Sequence, residues 1–177
     1  TVLTAGDLFS GIQTRGMSLG LRMAGGFETR WFCERDPYCQ RVLAKHWPGV
    51  PIYDDVRELR GEMLEPVDVL VGGWPCQPVS VAGRRKGVAD DRWLWPEFAR
   101  LIREIRPSYA IVENGSALLA RGLAEVLGDL AAIRFDCEWH CIPASAIGAP
   151  HRRDRLWLIA YPNRRGWRGF KPVRRPN

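Results

Sequence analysis

Residues 7–21 read DLFSGIQTRGMSLGL, and the turn in their middle decides how the chain folds. An apolar run ends in Asp7-Leu8-Phe9, passes through Ser10-Gly11 and, from Ser18, resumes at helical spacing. Strand, glycine turn and helix in that order open a parallel βαβ unit. Glycine at the turn lets the backbone approach a ligand, and the helix N-terminus behind it favours an anionic group. The middle of the turn, Gln13-Thr14-Arg15, is bulky and polar where a cofactor loop is ordinarily small.

Outward from this turn the alternation repeats. Short β-branched or apolar runs predict strands at residues 1–9, 28–34, 67–72, 109–113, 133–142 and 155–161, with a weaker one near Ile52. Helical spacing predicts helices at residues 18–24, 37–46, 94–105 and 117–130. Pro37 suits a first helical turn, with Asp36 before it as N-cap. These elements imply an α/β fold with a mostly parallel sheet and helices on both faces. Ligands of such sheets bind outside the carboxyl ends of the strands, so residues just after strands carry the information.

With 177 residues and 46% hydrophobic content the chain can bury one sizeable core. No apolar run approaches the roughly 18–20 residues that span a bilayer, and the opening TVLTAGDLF has neither the basic nor the apolar region of a secretory signal. Five scattered cysteines (33, 39, 76, 137 and 141) point to reduced thiols and a cytoplasmic protein. Cys137-x-x-His140-Cys141 lies in a strand-like run without a second cluster at zinc spacing, so packing is favoured there and no metal is expected. The charge is uneven. Residues 1–150 carry 17 Lys and Arg against 19 Asp and Glu, a net −2, whereas residues 151–177 carry nine against one, a net +8. A basic C-terminal segment suits a polyanion, or simply a solvated tail.

Three strand ends point to a nucleoside-containing ligand. The first is the Phe9-Ser10-Gly11 turn. Glu34 closes the second strand, where a carboxylate can accept from both ribose hydroxyls. Asp54-Asp55-Val56 follows the third, where a carboxylate can accept from an adenine amino group. The fourth strand runs into GGWPCQPVSVAG (residues 72–83), which holds Cys76 between Pro75 and Pro78 at the same edge. A nucleophile needs that accessibility and fixed direction, although a buried structural thiol is the commoner fate of a single cysteine. Glu113-Asn114 closes the fifth strand. Glu113 there can protonate a heterocycle nitrogen, or the pair can cap the next helix. Arg153 and Arg155 stand at the mouth of another strand, where alternation on an extended chain directs both to one side. Arginines so placed grip a base edge or a phosphate, or form an exposed basic rim. Trp93 and Trp95 read as packing residues, with stacking on a nucleobase as the other use.

Taken together, DLFSG, ERDPYC, YDDV, GGWPCQPVS, DDRWLWPEF, VENG and GAPHRRDRLWLIA resemble, in the same order, the DNA (cytosine-5)-methyltransferases that use S-adenosylmethionine. The resemblance covers about residues 3–161. It implies a Rossmann-like class I methyltransferase fold with a seven-stranded sheet, and methyl transfer to C5 of cytosine in double-stranded DNA, as in restriction-modification. By this resemblance Cys76 attacks C6 of a flipped-out cytosine, Glu113 holds or protonates N3, and Arg155 contacts the base carbonyl. Arg153 supports the loop and Gln77 lies beside the phosphate. Phe9 stacks on adenine, Glu34 takes the ribose and Asp55 the adenine amino group, while Ser10, Gly11, Val56, Pro75 and Asn114 line the cofactor pocket.

Four departures accompany the resemblance. The turn at residues 13–15 is two residues longer than the family's, which is expected to weaken or reshape cofactor binding. Gly115 stands where the family has valine after Glu-Asn, and His151 where it has glutamine. The family's target-recognition domain and the segments that follow it are absent from these 177 residues. The expected organisation is therefore a catalytic domain over residues 1–161 and a basic tail over 162–177. Such a core is a truncated enzyme or one half of a split enzyme, with a second polypeptide supplying recognition. The other reading is a catalytically impaired nucleic-acid-binding or regulatory remnant of the same fold. A nicotinamide-dependent oxidoreductase shares the glycine turn and Glu34 but leaves the cysteine loop unexplained.

Overall fold

The computed structural model describes residues 2–11, 16–75 and 93–163. The turn at 13–15 and the loop that contains Cys76 and Gln77 lie outside these residues, as does the basic tail from 164 on. The strands are β1 (Leu3–Leu8), β2 (Phe27–Cys33), β3 (Ile52–Tyr53), β4 (Val69–Gly72), β5 (Tyr109–Gly115), β6 (Phe135–Pro143) and β7 (Asp154–Pro162). The helices are α1 (Met17–Ala24), α2 (Pro37–His46), α3 (Trp95–Ile105), α4 (Leu118–Arg121) and α5 (Leu123–Ala132).

All seven strands join one sheet in the order β3-β2-β1-β4-β5-β7-β6. Chain order reverses between β1 and β4, which opens a crevice at their carboxyl ends. The sheet is mixed rather than purely parallel. β1 to β5 pair in parallel, whereas β7 runs antiparallel to both β5 and β6. The reason is local: β6 and β7 are joined by residues 144–153, without a crossover helix, and so form an antiparallel pair. This reversal also brings the start of β7 to the edge where its parallel neighbours end.

Local signals account for most element boundaries. Asp36 caps α2, its Oδ1 accepting from the Tyr38 and Cys39 amides at 2.7 and 3.2 Å, with Pro37 in the first turn. In α3 the buried Trp95, Phe98, Leu101 and Ile102 share one face. The helix ends at Arg106, in the left-handed region, just before Pro107. The single helix expected over 117–130 is two helices, α4 and α5, which meet at Gly122. A Cβ on Gly122 would stand 2.7 Å from the Trp93 ring, so the break admits that indole.

Two layers cover the sheet. On one face Leu8, Trp31, Leu70, Val112, Leu156 and Leu158 pack with Phe98, Leu101 and Ile102 of α3 and Val126 and Leu130 of α5. On the other, Met17 of α1 closes over Ala5, Val69 and Val71. Trp47, at the end of α2, meets Phe32 edge-on at 5.3 Å. Trp93 and Trp95 are packing residues, both buried, with their indole nitrogens donating to Glu125 and Asp129 at 3.0 and 2.8 Å. No helix among the described residues is long and apolar enough to cross a membrane.

Candidate active site

At the carboxyl ends of β1, β2 and β3 lies a cleft of about 310 Å³. Phe9, Gly11, Glu34, Asp55, Val56 and Pro75, singled out from the sequence, all line it. Phe9 follows β1 with φ of 57°, a left-handed conformation that costs a non-glycine residue roughly 1–2 kcal/mol. Its ring stacks on Phe98 of α3, with centroids 6.4 Å apart. Backbone strain of this kind clusters where a side chain must be aimed. Gly11, at φ 45°, adopts a similar conformation without a Cβ.

Glu34 ties the walls together. Its Oε2 accepts from the Gly11 amide at 2.8 Å, and its Oε1 from the Asp36 amide at 2.8 Å. Gln40 of α2 donates to the Glu34 carbonyl at 2.7 Å and to Asp54 Oδ1 at 2.6 Å. Asp55 accepts from the Arg57 amide at 2.9 Å. Ser10 and Asn114 stand behind the walls rather than on them. Ser10 is buried and donates its hydroxyl to the Asp7 carbonyl at 2.9 Å. Asn114 is buried and donates to the Trp74 carbonyl at 3.2 Å. It thereby holds the chain just before Pro75.

Five further residues line the cleft: Cys33, Arg35, Asp54, Arg57 and Leu94. Leu94 had a signal, its place beside the first turn of a strongly periodic helix. Neither arginine was singled out: Arg35 sits within the ERDPYC segment, where Glu34 drew the reading, and Arg57 follows YDDV. Cys33 is no rival nucleophile. Burial pushes its thiol up to about 12, and the nearby acids, Asp55 first, add to the shift. A thiol so raised stays protonated near neutral pH.

Where β5 and β7 pair, Glu113 and Arg155 form an ion pair, Arg155 Nε to Glu113 Oε1 at 2.8 Å. Glu113 lies near the end of β5 with only 7% of its surface exposed, and Arg155 reaches it because β7 runs antiparallel. The pair rests on Gly73, where a Cβ would stand 2.5 Å from the Glu113 carbonyl oxygen and 2.9 Å from Oε2. Trp74 follows, fully buried between Trp93 and Trp95 at centroid distances of 5.4 and 5.2 Å. The structure thus brings Glu113, Arg155 and the chain entering Cys76 to one place. Arg153 is set apart. Its φ of 32° interrupts the extended chain before β7 begins, so the alternation that would aim it with Arg155 fails, and it is exposed. On β6, alternation sends Cys137 and Cys141 to one face and His140 to the other, and no metal-binding group of three gathers among the described residues.

The family model described as C-5 cytosine-specific DNA methylase matches residues 3–176. The Type II methyltransferase M2.BsuMI of Bacillus subtilis is 34% identical over 163 residues, covering 87% of this chain and 41% of the relative. The Type II methyltransferase M.AplI of Arthrospira platensis is 32% identical over 164 residues, covering 91% and 46%. The chain therefore spans less than half the length of each. Among solved structures, a putative DNA modification methyltransferase encoded within an Escherichia coli prophage superposes with a TM-score of 0.72 at 26% identity, over 90% of this chain and 47% of that one. A Spodoptera frugiperda DNMT2 variant shares the fold with a TM-score of 0.75 at 18% identity, over 97% and 54%. Matched along nearly its whole length by the family model, and built on the same sheet as these enzymes, the chain belongs to the C-5 cytosine-specific DNA methylase family.

Proposed function

We propose that this chain is the catalytic core of a cytosine-5 DNA methyltransferase that draws its methyl group from S-adenosylmethionine and uses Cys76 as nucleophile. The observation that carries the reading is the Glu113–Arg155 pair seated on Gly73, three residues before Cys76, on the same short segment whose Pro75 lines the cleft. The donor set of the cleft fits the cofactor. Phe9 offers an aromatic wall, and each Glu34 oxygen, with one backbone amide bound, keeps a lone pair for a ribose hydroxyl. Asp55 stands ready to accept from an amino group. When bound, S-adenosylmethionine supplies an electrophilic methyl group.

C5 of cytosine is a weak nucleophile until a group adds at C6. The Cys76 thiolate forms the S–C6 bond, and the displaced π electrons give C5 enamine character as N3 gains a proton. Glu113 supplies or holds that proton, and Arg155 donates to the neighbouring carbonyl. After methyl transfer, loss of the C5 proton to a base reforms the C5–C6 double bond and expels the thiolate. Arg153 supports the loop and Gln77 lies beside the phosphate, and the cytosine must leave the duplex to reach Cys76, Glu113 and Arg155.

Duplex DNA containing 5-fluorocytosine tests the reading, because fluorine at C5 cannot leave as a cation and the enzyme stays bound. Incubated with S-adenosylmethionine, the chain is expected to form a denaturation-resistant adduct that Cys76→Ser abolishes. An adduct that survives Cys76→Ser, or none at all despite cofactor binding, would refute the role of Cys76.

A further inference from the structure

One wall of the cleft, the turn through Asp55, Val56 and Arg57, extends beyond the two-residue strand β3 and has no sheet partner of its own. A helix holds it instead. Arg100 of α3 donates from Nη2 to the Val56 carbonyl at 2.9 Å. Its guanidinium is set in place by two glutamates on the same helix, Nε to Glu97 at 2.8 Å and Nη1 to Glu104 at 3.0 Å. Glu104 in turn accepts from the Gly61 amide at 2.8 Å, so the segment from Val56 to Gly61 is tied to α3 at both ends. The approach is close: a Cβ on Gly61 would stand 2.7 Å from Glu104 Cβ. Burial alone would raise the Glu104 carboxyl, but the Gly61 amide and Arg100 outweigh it and hold it below its ordinary value. The clamp is therefore charged at neutral pH.

Helix pairing alone does not require the third contact. The Glu97 and Glu104 bonds would hold an exposed arginine on its helix, as (i, i+3) and (i, i+4) pairs commonly do. The bond to Val56 instead fixes a wall of the cleft, and α3 also supplies Phe98 beneath Phe9. One helix thus sets the spacing between the aromatic wall and the carboxylate wall.

We propose that Arg100 is a positioning residue for the cofactor, which by holding the Val56 carbonyl keeps Asp55 where it recognises the adenine amino group. The inference rests on the cofactor reading above. Calorimetry on the 177-residue chain tests it with two ligands, S-adenosylhomocysteine and S-inosylhomocysteine, in which a carbonyl replaces the amino group. The wild-type chain is expected to prefer the adenosyl ligand. Arg100→Met is expected to raise the Kd for the adenosyl ligand about tenfold, the scale of one lost hydrogen bond from a charged donor. It should shrink the adenosyl preference by a similar factor. Arg100→Lys keeps the charge between the glutamates, but one ammonium cannot match the fork to all three acceptors, so it shows the same loss of preference if the Met variant fails to fold. Variants that melt earlier but bind both ligands as the wild type does would overturn the inference and leave the cofactor reading standing. A wild-type chain that binds neither ligand would overturn both.

Discussion

Gly73 sets the tightest tolerance at the site. Its Cβ position is blocked by the Glu113 backbone at 2.5 Å and by a carboxylate oxygen held in an ion pair, neither of which is a free-swinging side-chain end. Gly73→Ala must therefore push the end of β4 away from β5, and with it the chain that leads to Cys76. Overpacking of this kind costs about 1–3 kcal/mol. The trapping rate on fluorinated DNA should fall further than the stability loss explains, at least about tenfold, because a shift of about 1 Å can cost far more in rate than in stability. Unfolding in urea and single-turnover trapping on the same protein separate the two effects, and an unchanged trapping rate would show that the approach is not critical. The places of Glu34 and Glu113 were legible in the sequence because a residue near a strand end announces its own position. Arg100 was not. Its partner Val56 lies 44 residues away, and no local pattern foretells that contact.

At the level of elements, the signals that worked were those written within one turn of chain. Asp36 with Pro37 started α2, because a cap and a first-turn proline act on their immediate neighbours. Two features escaped: the reversal of β7, which follows from its short connection to β6, and the break between α4 and α5, which is decided by Trp93, distant in sequence. The break has a testable cause. Gly122 has φ of −178°, which any residue adopts, so Gly122→Ala meets no backbone strain there. Alanine gains up to about 1 kcal/mol of helix propensity. Against this, its Cβ would stand 2.7 Å from the Trp93 ring and 2.9 Å from Leu118 Cδ1, a clash on the order of 1–3 kcal/mol. The clash should win, giving net destabilisation in urea and a red-shifted tryptophan emission as the Trp93–Trp74 contact loosens. Equal or greater stability would mean that α4 and α5 merge, with Trp93 displaced at little cost.

Across the whole molecule, charge divides by position: a slightly acidic body is followed by a basic end, and one acid lies deep in the body. Asp7 is 2% exposed in β1, with Oδ2 accepting from the Ser18 hydroxyl at 2.6 Å and the Ser18 amide at 3.3 Å. It caps α1 from outside, since Gly16 offers no side chain for that purpose. Its other oxygen, Oδ1, is buried without a hydrogen-bond partner among the described residues. Burial raises the carboxyl from 3.8 to about 7, more than the Ser18 and Ser10 bonds lower it, and Glu34 adds to the rise. Between these two values the folded chain keeps a proton that the unfolded chain releases. Stability from this group is therefore full below pH 4 and declines as pH rises to about 7, by at most about 1.4 kcal/mol per pH unit. Paired carboxylates such as Glu104 act in the opposite sense, so wild-type stability alone would mix the two. The difference between wild type and Asp7→Asn isolates Asp7, because asparagine can still accept from Ser18 but does not titrate. Measured by urea unfolding, that difference should shift by about 2–3 kcal/mol in favour of the variant between pH 5 and pH 8. Parallel pH profiles for the two proteins would show that Asp7 is already ionised in the folded chain at pH 5, with its Oδ1 served by a partner.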